Sequence, residues 1–80
     1  MIPASRIRKL LAVRPFKPFR IHLSDGSHYE VPHPEFAWVF GRTVFVGIAG
    51  TSADEAFAEE LSILHITRIE KLGPAKAGNN

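Results

Sequence analysis

Apolar and polar residues alternate most regularly between Phe19 and Val31, in the stretch FRIHLSDGSHYEV. Phe19, Ile21 and Leu23 share one face of an extended chain, and Arg20, His22 and Ser24 the other. Tyr29 and Val31 alternate in the same way with His28 and Glu30. The pattern predicts an antiparallel hairpin about Asp25-Gly26. Residues directly opposite in a ladder lie on the same face, so the turn has to match apolar to apolar. A two-residue loop would set Leu23 against His28 and break the match. A three-residue loop, Ser24-Asp25-Gly26, sets Leu23 against Ser27, Ile21 against Tyr29 and Phe19 against Val31. It also gives Gly26 the left-handed position of a type I turn with a G1 bulge. On the polar face this register pairs Arg20 with Glu30 and His22 with His28.

The flanking patterns complete a mainly β reading with one N-terminal helix. Residues 3–13, PASRIRKLLAV, place Ile7, Leu10 and Leu11 on a narrow helical stripe with Val13 beside it. Pro3 suits a first helical position, or Ser5 a cap, and Pro15 ends the helix. RPFKPF, residues 14–19, is an extended strap that Phe16 and Phe19 anchor to the core. Pro32 and Pro34 cannot donate to a ladder, so the second strand has to break, bulge or run along an edge there. FAWVF and TVFVGI predict a second hairpin about Gly41-Arg42, buried on much of both faces, with Trp38, Phe40 and Phe45 in the core. AGTSAD, residues 49–54, reads as a loop. Residues 55–63 fit a strand through Phe57, Glu59, Leu61 and Ile63, although their alanines and glutamates favour helix. LHI makes a tight turn and TRIEKL, from Thr67, a closing strand. The expected architecture is a small, strongly bent antiparallel sheet or barrel over residues 18–72. It forms one domain with the helix, and residues 73–80 are a tail.

Composition narrows the function classes. The chain has 80 residues, no cysteine and 22% charged residues, so neither a disulfide nor a thiolate metal site is available. No apolar run approaches the roughly 20 residues of a membrane span, and the first residues lack the apolar core of a signal peptide. A cytoplasmic protein with no membrane partner is the expectation. Net charge is only +2, but Arg6, Arg8, Lys9, Arg14, Lys17 and Arg20 all precede the first acid, Asp25. A basic end of this kind attracts phosphate backbones or acidic protein faces, with Phe16 or Phe19 near a base. The plainer reading, and the favoured one, is a solvated helix face.

Other chemistry is thinner. His22, His28 and His33, with Glu30 or Glu35, are the candidates for a metal site and hence a small metal-dependent enzyme. They lack HxH, HExxH or paired-cysteine spacing. Ser24, Ser27 and Thr43 stand in no GxSxG elbow. No catalytic residue and no cofactor are expected. Exposed edge strands in so small a β domain favour a homo-oligomer.

The order helix, strand, DG turn, long bent strand, strand, strand, short turn, strand resembles the Sm-like fold. It is most similar to the bacterial Sm-like RNA chaperones of the Hfq type, and more generally to SH3-like barrels. IHLSDG, residues 21–26, resembles that family's first strand and turn, and LHITRIEKL, residues 64–72, the end of its barrel. The resemblance implies RNA contact by His65 and ring closure through the edges formed by residues 55–72. Ile63 and Leu64 stand where the family has a tyrosine and a lysine, and the asparagine of its base pocket has no counterpart. More closely, the wording PFKPFRIHLSDG…EVPHPEF…LHITRIEKL resembles a group of short uncharacterised bacterial proteins common among planctomycetes; that resemblance is the more specific one, and it implies no activity. The reading is a non-enzymatic oligomeric binding or scaffold module. RNA contact is expected at Arg6, Arg8, Lys9, Arg14, Lys17 and His65, with a protein partner as the alternative.

Overall fold

The computed structural model describes residues 2–48 and 57–73, so the loop expected at 49–54 and all but the first residue of the expected tail lie outside the described residues. A helix α1 (Ala4–Ala12) is followed by strands β1 (Phe19–Leu23), β2 (His28–Val31), β3 (Ala37–Phe40), β4 (Thr43–Ile48), β5 (Phe57–Ser62) and β6 (Ile66–Lys71). Among the described residues no helix is long and apolar enough to cross a membrane.

The helix is shorter than expected, and Pro3 is its N-cap rather than its first residue. No side chain caps it; the Pro3 carbonyl accepts from the Arg6 N–H at 3.0 Å instead. At the other end the Arg14 guanidinium donates to the carbonyls of Leu11 and Val13, both at 2.9 Å, where orphan acceptors and the dipole favour a cation. Ile7 and Leu10 are buried and Leu11 partly so, while Val13 is exposed. The strap behind the helix holds Phe19 fully buried, with the Phe16 ring tilted on it at 6.0 Å.

The first hairpin has the expected register, with Phe19 opposite Val31, Arg20 opposite Glu30, Ile21 opposite Tyr29 and His22 opposite His28. Leu23 N–H donates to the Ser27 carbonyl at 2.9 Å, and Gly26 sits at φ +91°. Asp25 Oδ1 accepts from the Ser27 N–H at 2.9 Å and its hydroxyl at 2.6 Å, which fixes the turn and lowers the Asp25 pKa.

The sheet is not continuous. There are two three-stranded antiparallel sheets, ordered β2-β1-β6 and β3-β4-β5, and they do not close into a barrel. The break falls at Pro32 and Pro34, where a 3-10 turn (Pro34–Phe36) replaces ladder pairing between β2 and β3. Residues 57–62 form a strand, paired along β4 from Thr43–Ser62 to Ile48–Phe57. A second 3-10 turn (Ile63–His65), closed by the Ser62 hydroxyl accepting from Leu64 N–H at 3.3 Å, leads into β6. One core lies between the inner faces. Phe19, Ile21 and Val31 come from one sheet, Ala37, Val44, Val46 and Leu61 from the other, and Ile7 and Leu10 from α1.

The second hairpin departs from expectation. It is buried on one face only: Trp38 is 54% and Phe40 79% exposed, and Phe45 is half-buried. Ala37, Val44 and Val46 already fill the inner face, so the larger rings at the alternate positions point away from it.

Candidate functional site

Each sheet has an outer face of distinct chemistry. On the first, cross-strand register gathers Arg20, His22, His28, Glu30, Arg68 and Glu70. Arg20 Nη2 donates to Glu30 at 2.6 Å and Nη1 to Glu70 at 3.3 Å. These bonds, Glu30 first, raise the Arg20 pKa. Among the described residues, the buried Arg20 Nε has no acceptor. His22 Nε2 lies 2.9 Å from Glu70 Oε1 and 3.2 Å from Arg68 Nη2. The His22 hydrogen bond, then the neighbouring cations, hold the Glu70 carboxyl below its usual range. Glu30 is thus paired with Arg20, and Glu70 with Arg20 and His22.

The histidines do not assemble into a metal centre. His22 and His28 are neighbours, with ring centroids 5.7 Å apart, but His33 packs on Phe36 at 5.8 Å. Among the described residues no group of three or more His, Asp or Glu side chains is placed to hold a metal.

The second sheet's outer face carries Trp38 opposite Phe45 and Phe40 opposite Thr43. Beyond them, on β5, stand Glu60 and Ser62. Trp38 also borders two hollows. One, of about 440 Å³, is lined by Glu35, Phe36, Gly47, Ile48, Phe57 and Ala58. The other, of about 360 Å³, lies against α1 and is lined by Arg8, Leu11, Ala12, Ala37 and Val39.

The expected phosphate-contacting residues divide into separate places. Arg6, Arg8 and Lys9 are exposed on α1, and Lys17 is exposed on the strap. Arg14 is exposed too, but its guanidinium is engaged by the helix carbonyls. Neither anchor phenylalanine is a free base-stacking ring, since Phe19 is fully buried and Phe16 packs on it. His65 is apart from the basic cluster. Its Nδ1 lies 3.4 Å from Ser24 Oγ, in a hollow of about 300 Å³ shared with Leu23, Asp25, Glu60, Leu61 and Ser62.

Trp38 and Phe40 were not expected outside. The usable signal lies on the neighbouring strands, where Thr43–Ser62 and Phe45–Glu60 put polar groups on their face. Reading it requires the β4–β5 register. Comparison with known proteins adds no assignment: no family model matches the chain, and neither does any curated protein or solved structure.

Proposed function

We propose that the chain is a non-enzymatic, oligomeric binding module of the Sm-like or SH3-like kind, with RNA as its ligand. The observation that carries this reading is the position of β5 and β6, which are consecutive and each form an outer edge of a sheet. Such edges leave backbone donors and acceptors open to pairing. A sibling β5 laid on β6 would continue both sheets and bring Glu59 and Glu60 towards a strand bearing Arg68 and Lys71. The exposed Arg6, Arg8 and Lys9 of α1 supply the phosphate rail. A protein partner without nucleic acid is the second reading. It is favoured by Leu64, 59% exposed in a hollow with Pro3, Ala4 and Arg42.

Two measurements test the proposal. Light scattering should return a closed oligomer of fixed size; a monomer at every concentration would sink the assembly. Oligo-A or oligo-U RNA should bind with strong salt dependence. Neutralising Arg6, Arg8 and Lys9 to Gln should flatten the log–log salt slope by about 2, the value for three lost phosphate contacts to a single strand. An unchanged slope would remove α1 from the ligand site.

A further inference from the structure

We propose that the outer face of the second sheet is a stacking platform for single-stranded nucleic acid, selective for bases that carry an amino group. The inference rests on the nucleic-acid part of the reading above and adds a site to it. Trp38 and Phe40 occupy successive outward positions of β3, so their Cα atoms stand about 7 Å apart. At 54% and 79% exposure both rings are open to the face of a base. Phe45 lies directly beside Trp38 and extends the surface inward.

Charge fixes how a strand would lie. On the α1 side, Arg8 shares a hollow with Trp38. Arg42 follows Phe40 in the turn and lines a second hollow with Pro3 and Ala4, at the start of the helix. On the opposite side, on β5, Glu60 faces Phe45, and at the start of β3 Glu35 borders the hollow between Trp38 and Phe57. Arg8 thus lies on the α1 side of the aromatic strip and Glu60 on the β5 side, with Arg42 and Glu35 at the two ends of β3. A strand along β3 places its phosphates towards α1 and its base edges towards Glu60. Ionised carboxylates only accept hydrogen bonds. Adenine, cytosine and guanine offer an exocyclic amine to them; uracil offers two carbonyls and a single N–H. An apolar peptide would gain nothing from the arginine rail.

Trp38 is the only tryptophan of the chain, so its emission reports this face alone. Oligo-A, oligo-C and oligo-U RNA are titrated at low salt, following Trp38 fluorescence and the anisotropy of an end-labelled strand together. The expected result is saturable quenching, with oligo-A and oligo-C about tenfold tighter than oligo-U. Phe40→Ala should weaken binding about tenfold, the loss of one stacked base, with an unchanged circular dichroism spectrum. If anisotropy reports binding that depends on Arg6 and Lys9 while Trp38 is unquenched and Phe40→Ala is neutral, the platform is overturned and the RNA reading stands. If no strand binds, both fall. Oligo-U binding as well as oligo-A overturns the orientation. If Trp38 emission follows protein concentration alone and Phe40→Ala breaks the oligomer, the face is a contact between copies and the platform is lost.

Discussion

The two outer faces are built by the same device, three antiparallel strands with their alternate residues turned from the core, yet they end in opposite states. On the first sheet, Arg20 bridges Glu30 and Glu70 across both neighbouring strands, His22 joins the Glu70 carboxylate, and Arg68 Nη2 lies 3.2 Å from the same His22 nitrogen. The carboxylates of that face are paired. On the second sheet, Trp38 and Phe40 present rings to solvent, Trp38 beside Phe45 and Phe40 beside Thr43. The difference separates a face that holds strands together from a face that is free to hold something else.

The sharpest way to break this contrast is to compare two phenylalanines. Phe19 is fully buried on the inner face of β1, whereas Phe40 is 79% exposed on the outer face of β3. Phe19→Ala should cost about 3–5 kcal/mol in urea unfolding, the range for a buried aromatic truncated in place. A loss of that size removes much of the stability of so small a domain. Phe40→Ala should stay within about 0.5 kcal/mol of the parent. A large loss for Phe40→Ala would mean that the ring supports the fold, and the functional reading of the second face would fail.

A smaller effect tests the first hairpin. Gly26 holds φ +91°, and no atom lies near the place of an added Cβ. Gly26→Ala therefore meets no clash; what opposes it is left-handed backbone alone, at about 1–2 kcal/mol. A neutral result would show that the turn relaxes without its bulge, and the first face would lose the register that pairs Arg20 with Glu30.

This hairpin was legible in the sequence because one turn and one alternating pattern determine it. With a three-residue loop Ile21 opposes Tyr29 and Phe19 opposes Val31, whereas a two-residue loop would set Leu23 against His28. The strand at 57–62 was legible by the same alternation against a helical composition, since pairing with β4 outweighs the propensities of Ala58, Glu59 and Glu60. The break between the sheets was half visible: Pro32 and Pro34 require an interruption, but not that it should part the sheet in two. The outward turn of Trp38 and Phe40 was hidden because both faces of β3 are apolar. Ala37 and Val39 alternate with larger rings, and hydrophobicity alone prefers the rings inside. Thr43 and the more distant Ser62 and Glu60 mark the wet side.

The smallest expected effect lies in the charge network of the first face. The Glu70 carboxyl is held below its ordinary 4.5, mainly by the hydrogen bond with His22 and then by Arg20 and Arg68. A carboxyl depressed in the folded state adds stability that is fully present above its unfolded pKa and is lost as pH falls through its folded pKa. The contribution of Glu70 should therefore be complete at neutral pH, begin to fade below about pH 4.5 and vanish at lower pH. The group is partly open to water, so salt should shrink the effect. Urea midpoints of the parent and of Glu70→Gln, measured across that interval, should converge as the pH drops. They should also converge at neutral pH when salt is raised. Midpoints separated by a constant amount at every pH would mean that the carboxylate's charge is irrelevant. The first face would then be held by its ladder hydrogen bonds alone, and the contrast between a paired face and an open one would lose its electrostatic half.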